Sequence, residues 1–365
     1  MRNQSNYSKC VQITIYEGIP ELDDPPFEYS HMKNNHFLNQ PVFLSGHRKS
    51  GTTLLVMLFD GHPCLLTYPA DSGFFYLYYP LWNDPSYTKD QKISRMIEKV
   101  IGSLRIEISK LPQAKQDIIS FPFSEFEKVF RDTAFRTECT PRHMLESLML
   151  SFREMVDVSD LLLGFVEKTS SSEIYVSDIV DWFPNARFIH LLRDPRDNWA
   201  SLRSGWEKKY QHQNDSLSIL LQSMIDRGRL AFEFAKKNSS IYGSKIYKVI
   251  RYEDLAFKPT DVLKDICNFL GVEFVPEMYR PTIFGLPWKG NNFDGLVFDG
   301  ISYKNVNRWK KRVPENESAL IEFHFGEYME QFGYEREMGD CLCAAAAKEQ
   351  YKWYNFAKTY RKGEL

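Results

Sequence analysis

A short apolar strand, a glycine-bounded loop and a helix follow one another near the start of the chain, and this succession constrains the fold more than any other feature. The strand is predicted at residues 41–45, the loop runs from Gly46 to Gly51, and residues 52–60 carry apolar side chains at helical spacing. Consecutive backbone N–H groups of such a loop, together with the positive end of the helix dipole, can hold an anion. The sequence therefore predicts a phosphate-binding loop, with an ordinary glycine-containing turn as the alternative.

The rest of the chain alternates strands with helices. Further strands are predicted at residues 161–166, 188–192 and 246–250, and helices at about 172–182, from near Asp197, at about 217–237 and at 260–270. Residues 88–158 are predicted to be mainly helical. This alternation predicts an α/β fold, in which a parallel sheet is flanked by helices and ligands bind beyond the carboxyl ends of the strands.

The chain is predicted to consist of three segments. Residues 1–40 form an N-terminal extension with one strand-like run at 10–16, residues 41–338 form the α/β domain, and residues 339–365 form an aromatic-rich helix. We expect that helix to pack on its own domain or on a second copy of the chain in a homodimer. Binding to a membrane surface is the lesser alternative.

Composition and charge exclude several classes of protein. A net charge of −2 over 365 residues gives no general attraction for nucleic acid. The six cysteines include no Cys-x-x-Cys pair, so neither a zinc site nor a disulfide framework is predicted. No apolar run approaches the roughly 18 residues of a membrane-spanning helix, and the N-terminus lacks a signal-peptide pattern. These features predict a cytoplasmic protein.

The glycine-bounded loop departs from the pattern of nucleotide triphosphatases at one position. Those enzymes have a lysine directly after the second glycine, where this chain has Thr52, and the lysine of this chain lies inside the loop as Lys49. The contiguous run KSGTTL at residues 49–54 resembles the loop with which sulfotransferases hold the 5′-phosphosulfate of 3′-phosphoadenosine 5′-phosphosulfate (PAPS). Leucine at position 54, where many cytosolic phenol and steroid enzymes have tryptophan, favours the carbohydrate and tyrosylprotein branches of that family.

The strand predicted at 188–192 leads into a second anion site. Arg193 follows this strand directly, and Ser201 lies eight residues further along, in the next predicted helix. An arginine fork and a serine hydroxyl suit a phosphate dianion, and the resemblance implies that they bind the 3′-phosphate of PAPS. An ion pair between Arg193 and a nearby aspartate is the alternative. Arg196 and Asp197 are interpreted as a structural salt-bridge and helix-start pair.

Two further residues are candidates for the chemistry. Asp71 lies between a His-Pro and a Phe-Phe pair, as the glutamate general base does in heparan-type sulfotransferases, and Lys168 matches a lysine near the donor in those enzymes. The alternatives are a helix-capping role for Asp71 and a solvated surface position for Lys168. If Asp71 is only a cap, we expect the base among His62, Glu138 and His143.

The resemblance also implies a set of nucleotide contacts. Tyr252, in a Tyr-Glu-Asp-Leu segment, resembles a tyrosine near the adenine, and Lys304 and Arg308 lie in a basic loop that resembles the family's closing loop. A solvated basic loop is the alternative. The residues predicted to bind PAPS, or its product 3′-phosphoadenosine 5′-phosphate (PAP), are Arg48, Lys49, Ser50, Gly51, Thr52, Thr53, Arg193, Ser201, Tyr252, Lys304 and Arg308. The predicted catalytic residues are Lys49, Asp71 and Lys168.

The sequence thus predicts an enzyme that transfers a sulfuryl group from PAPS to a hydroxyl or amine of a small-molecule or carbohydrate acceptor. Lys49 is expected to stabilise charge on the leaving phosphate, so that in-line displacement needs no metal. The alternatives are a P-loop kinase and a nucleotide-binding protein without catalysis. Residues 76–160 carry no assignable motif and are expected to form the acceptor pocket and lid.

Overall fold

The computed structural model describes most of the chain from residue 36 onwards. The residues described are 36–79, 84, 86–156, 161–210, 216–291, 293, 298 and 300–361. The strand predicted at 10–16 and most of the N-terminal extension lie outside them. Within the described part of the chain, no helix is both long enough and apolar enough to cross a lipid bilayer.

Five parallel strands form the central sheet and confirm the predicted α/β class. They are β1 (Val42–Ser45), β2 (Leu65–Thr67), β3 (Gly164–Lys168), β4 (Arg187–Leu192) and β5 (Tyr247–Arg251), in the spatial order β2-β3-β1-β4-β5. The sequence did not predict β2, which is too short for a recognisable pattern. β3 begins at Gly164 rather than at residue 161, because Leu161 lies exposed in a turn. A separate antiparallel pair joins β6 (Thr282–Ile283) to β7 (Leu286–Pro287).

Helices fill the connections between the strands. The α-helices are α1 (Thr52–Phe59), α2 (Lys89–Met96), α3 (Gly102–Ser109), α4 (Gln113–Ile119), α5 (Phe123–Phe135), α6 (Pro141–Met155), α7 (Val176–Trp182), α8 (Pro195–Gly205), α9 (Leu217–Ile246), α10 (Tyr252–Phe257), α11 (Pro259–Leu270), α12 (Trp309–Arg312), α13 (Glu315–Gln331) and α14 (Asp340–Arg361). Single π-helical turns occupy Phe74–Tyr78, Ile97–Ile101 and Trp206–Tyr210. Short 3-10 turns occupy His36–Leu38, Ser172–Tyr175, Pro276–Tyr279 and Tyr303–Asn305.

The two faces of β1 pack into different hydrophobic cores, because successive side chains of a strand point in opposite directions. Phe43 is fully buried in an aromatic-rich core that includes residues of α2, α3, α5 and α6. Leu44 is fully buried on the other face, in a core that includes residues of α1 and α11. A third core surrounds Trp199, between α8, α9 and α13. With both faces covered, the carboxyl edge of the sheet is where a ligand can reach the strands.

The C-terminal helix α14 packs against its own domain. Ala347 is buried in the core shared with α9 and α13. The side-chain amide of Gln350 is hydrogen-bonded to His324 of α13 at 2.9 Å and to Gln222 of α9 at 2.5 Å. The homodimer remains a prediction.

Candidate active site

A cavity of about 320 Å³ opens at the carboxyl edge of the sheet. Its wall contains a residue from the segment that follows each of the five strands: Lys49 after β1, Asp71 after β2, Ser170 after β3, Arg193 after β4 and Tyr252 after β5. Parallel strands direct their carboxyl ends to the same edge, so five segments distant in sequence converge here. The cavity is the candidate active site.

Eleven of the predicted site residues line this cavity. They are Arg48, Lys49, Gly51, Thr52, Thr53, Asp71, Lys168, Arg193, Ser201, Tyr252 and Arg308. Two others do not line it. Ser50 is 1% exposed, and its hydroxyl is buried in the protein and not at the cavity wall. Lys304 lies on the exposed 3-10 turn Tyr303–Asn305.

The phosphate loop takes left-handed backbone conformations at Lys49, with φ 67°, and at Gly51, with φ 105°. A Cβ atom at Gly51 would lie 2.5 Å from the ring of Tyr252, so this position requires glycine both for its φ and for its close approach. Lys49 adopts its conformation in spite of its Cβ, at a cost of about 1–2 kcal/mol. The Lys49 ammonium lies 3.9 Å from the centroid of the Phe293 ring, at the cavity wall.

Arg193 links the predicted 3′-phosphate site to the loop. One of its terminal nitrogens donates to the carbonyl of Lys49 at 3.0 Å and the other to the carbonyl of Asn305 at 2.7 Å. The guanidinium carbon lies 4.6 Å from the centroid of the Tyr252 ring. The third nitrogen, Nε, is buried and makes no hydrogen bond within the described residues. Arg193 and Ser201 both line the cavity.

Asp71 is the centre of a polar cluster in the cavity. Its Oδ2 accepts hydrogen bonds from the Lys168 ammonium at 2.5 Å and from the Ser170 hydroxyl at 2.8 Å. Its Oδ1 accepts from the Gly73 N–H at 3.1 Å and from the Tyr76 hydroxyl at 3.3 Å. Burial alone would raise the pKa of Asp71, but the charge and hydrogen bond of Lys168, with those of its other donors, hold the pKa below its usual value. Asp71 is therefore ionised at neutral pH and can accept a proton.

Glu167, beside Lys168 on β3, was not singled out by the sequence. Its carboxylate is fully buried and accepts hydrogen bonds from the Ser72 hydroxyl and, at 2.7 Å, from Thr169 Oγ1. Burial raises the pKa of Glu167 to about 7, against the opposing effect of those two hydroxyls. Its position as an acidic residue at the end of an apolar strand is the sequence feature that could have indicated its role. Glu167 supports the floor of the site, because Ser72 and Thr169 flank Asp71 and Lys168 in sequence.

Asp197 fastens the C-terminal loop to the start of α8. Its two carboxylate oxygens accept hydrogen bonds from the backbone N–H groups of Asn307 at 2.6 Å and of Trp309 at 2.9 Å. Arg308, between them, lines the cavity and donates to the Asn305 side chain at 2.7 Å. Asp197 thus has a structural role, as predicted, but it holds a loop distant in sequence instead of starting the helix. The cap of α8 is Asp194, whose side chain accepts the N–H of Arg196.

The segment without an assignable motif contributes Glu107 of α3 and Lys110, which directly follows α3, to the cavity wall, and the two form an ion pair at 2.5 Å. The alternative bases lie elsewhere. His62 is 4% exposed and bonded to the carbonyl of Glu273 at 2.9 Å. His143 pairs with its helix-capping threonine, and Glu138 is absent from the cavity wall as described. Among the cavity-lining residues, the carboxylates are therefore Asp71, Glu107 and Asp197.

Residues 41–276, from β1 to beyond the end of α11, match the model of the Sulfotransferase family. The chain belongs to this family. The matched region contains the phosphate loop, Asp71, Lys168 and Arg193, and it covers more than half of the chain. The match confirms the resemblance inferred from the loop and the prediction of an enzyme: this sulfotransferase transfers sulfuryl groups.

Known sulfotransferases share the fold at low sequence identity. Omega-hydroxy-beta-dihydromenaquinone-9 sulfotransferase Stf3 of Mycobacterium bovis is 21% identical over 317 residues, which are 81% of this chain and 76% of that protein. Carbohydrate sulfotransferase 3 of Mus musculus is 23% identical over 159 residues, 40% of this chain and 34% of that protein. The sulfotransferase domain from the Synechococcus PCC 7002 olefin synthase matches with a TM-score of 0.52 and 18% identity, over 84% of this chain and 99% of that domain. These likenesses confirm the predicted sulfotransferase fold.

Proposed function

We propose that this sulfotransferase takes its sulfuryl group from PAPS and transfers it to a hydroxyl or amine of a small-molecule or carbohydrate acceptor. The observation that carries the proposal is that the phosphate loop, the Arg193–Ser201 pair and the Asp71–Lys168 pair all line one cavity. A 3′-phosphate bound by Arg193 and Ser201 would complement a 5′-phosphosulfate bound by the loop.

In the proposed reaction, the acceptor oxygen attacks sulfur while the bond from sulfur to the bridging phosphate oxygen breaks. Lys49 stabilises the negative charge that develops on the leaving phosphate, and the loop amides orient it. The proton of the acceptor hydroxyl passes to the Asp71 carboxylate, which Lys168 keeps ionised. Because Lys49 supplies positive charge at the leaving phosphate, we propose that no metal ion is needed.

The acceptor side of the cavity carries both charge and apolar surface. Glu107 lies in α3 and Lys110 directly after it, and Trp288, which is 9% exposed, follows β7. The names of two relatives indicate acceptors of different kinds, an omega-hydroxy-beta-dihydromenaquinone-9 and a carbohydrate. We propose an acceptor of this general class, and a cytoplasmic site of action.

The alternative of a P-loop kinase requires a lysine after Gly51. Thr52 occupies that position at the N-terminus of α1, is 3% exposed and cannot reach a phosphate as a lysine would. Titration calorimetry in the presence of a chelator tests the proposal against this alternative. We expect PAP to bind without metal, and adenosine 5′-phosphate, which lacks the 3′-phosphate, to bind at least about tenfold more weakly.

Tight binding of Mg·ATP with no binding of PAP would overturn the proposed donor. A second measurement addresses catalysis, using radiolabelled PAPS with a panel of hydroxylated small molecules and sugars. PAP binding with no transfer to any member of the panel, and no slow hydrolysis of PAPS, would indicate a nucleotide-binding protein without catalysis.

A further inference from the structure

Asn198 joins the phosphate loop to α8 through both ends of its side-chain amide. Its Nδ2 donates to the backbone carbonyl of Arg48 at 3.0 Å, and its Oδ1 lies 3.1 Å from Nδ1 of His47. The side chain is 4% exposed, and it does not line the cavity. One buried amide thus contacts the two loop residues that directly precede Lys49.

The orientation of this amide follows from its partners. The carbonyl of Arg48 can only accept, so Nδ2 must face it, and Oδ1 must then accept the Nδ1 proton of His47. Burial, together with the charge of Arg48, lowers the pKa of His47 to about 3, so the imidazole stays neutral. Both hydrogen bonds therefore persist across the physiological pH range.

These hydrogen bonds can stabilise the backbone conformation of Lys49. Its left-handed backbone is unfavourable for a residue with a Cβ, so contacts on either side must hold it. Asn198 holds the residue before it through the carbonyl of Arg48, and Arg193 holds Lys49 through its own carbonyl at 3.0 Å. Both side chains belong to the segment around the start of α8.

The start of α8 is firmly anchored. The N–H of Asp194 donates to Glu253 of α10 at 3.0 Å, and Arg196 is bonded to Asp194 and to Glu322 of α13. Asn198 lies one turn further along the helix, and its own N–H bonds to the carbonyl of Asp194 at 2.9 Å. The loop is therefore held against a rigid part of the fold.

We propose that Asn198 is a positioning residue, which holds the phosphate loop in the conformation that binds the 5′-phosphate and places Lys49 at the transferred group. The proposal rests on the proposed function, which assigns the 5′-phosphosulfate to the loop. Asn198 bonds to the loop directly, whereas Arg193 is also held by the carbonyl of Asn305, which lies outside the loop. Loss of Asn198 should weaken one end of the nucleotide only.

The test compares three ligands by titration calorimetry or by displacement of PAP: PAP, adenosine 5′-phosphate and adenosine 3′-phosphate. The variant Asn198→Leu keeps the volume of the side chain but removes both hydrogen bonds, and Asn198→Ala serves as a second variant should the leucine disturb folding. We expect about tenfold weaker binding of PAP and of adenosine 5′-phosphate, because two hydrogen bonds to the loop are lost. Binding of adenosine 3′-phosphate should stay within about twofold of the parent.

A matched control is Gln40→Ala. Gln40 also donates a side-chain amide N–H to a backbone carbonyl, that of Leu270 at 3.0 Å, but it precedes β1 at the opposite edge of the sheet. This variant should bind all three ligands as the parent does. If Asn198→Leu binds both monophosphates more weakly to the same extent, Asn198 has only a general structural role. If it binds both as tightly as the parent does, Asn198 does not position the loop. Binding of PAP by the parent reports separately on the proposed function.

Discussion

Asp71 makes contacts that suit each of the two roles that the sequence left as alternatives. It accepts the N–H of Gly73 and so fixes the turn before the Phe74–Tyr78 segment, as a capping aspartate does. It also forms an ion pair with Lys168 inside the cavity, and a capping role alone would not require this ion pair. A capping role and a catalytic role are therefore compatible, and a variant must separate them.

Lys49 and Asp71 should fail in different ways. Lys49→Ala should lower the rate of sulfuryl transfer by roughly 10²-fold or more with a modest effect on PAP affinity, because the leaving-group charge develops in the transition state. Asp71→Asn should leave PAP affinity intact and slow transfer by roughly 10²–10⁴-fold, because the base contacts the acceptor. Calorimetry with PAP and single-turnover transfer rates provide the two measurements.

Asp84→Asn is the matched control for the capping role. Asp84 accepts the N–H and hydroxyl of Ser86 in a similar local turn, but it is exposed and outside the cavity wall as described. Transfer by this variant should equal that of the parent. Transfer at the parent rate by Asp71→Asn as well would reduce Asp71 to a cap.

At the scale of elements, the sequence predicted what is local in the chain. The phosphate loop is contiguous, and the spacing from Arg193 to Ser201 is set by one helix, so both could be inferred without knowing the tertiary structure. The strand β2, the contact of Asp71 with Lys168 and the role of Asn198 depend on which strands become neighbours. Such contacts leave no periodic pattern in the sequence, and neither does the burial of Ser50.

A buried ion pair joins α13 to α8. Arg196 donates to Glu322 at 2.5 Å and twice to Asp194, and the side chains of Arg196 and Glu322 are 3% and 0% exposed. Arg196→Met should destabilise the protein by about 3–5 kcal/mol, because the buried carboxylates of Glu322 and Asp194 lose the cation bonded to both, and the other cation near Glu322, Arg336, lies 4.0 Å away. The double variant Arg196→Met with Glu322→Leu should recover part of this loss. Urea unfolding at constant pH measures both.

The exposed pair of Arg105 and Glu127, at 2.6 Å, is the control for that experiment. Arg105→Met should cost less than about 1 kcal/mol, because water solvates the remaining carboxylate. A similar small cost for Arg196→Met would mean that the buried pair does not hold α13 in place.

At the scale of the whole molecule, three buried glutamates connect stability to pH. Burial raises the pKa of Glu167, Glu173 and Glu253 to about 7 in the folded protein, from 4.5. All three occur near the carboxyl edge of the sheet: Glu167 near the end of β3, Glu173 in the turn that follows it, and Glu253 just after β5. The candidate active site thus lies near carboxyl groups that are partly protonated near neutral pH.

The sign of the resulting pH dependence is opposite to that of a salt-bridged carboxylate. Between about pH 4.5 and pH 7 these groups keep protons when folded but lose them when unfolded, so the free energy of unfolding falls as the pH rises, by up to about 1.4 kcal/mol per pH unit for each group.

Glu167→Gln removes one titrating group while keeping its shape. Relative to the parent, the free energy of unfolding of this variant should therefore rise by about 2 kcal/mol between pH 5 and pH 8, measured by urea unfolding. The exposed Glu327→Gln should show no such change. A constant difference between Glu167→Gln and the parent across this range would mean that Glu167 is already ionised in the folded protein at pH 5, and that its buried charge is stabilised by the site around it.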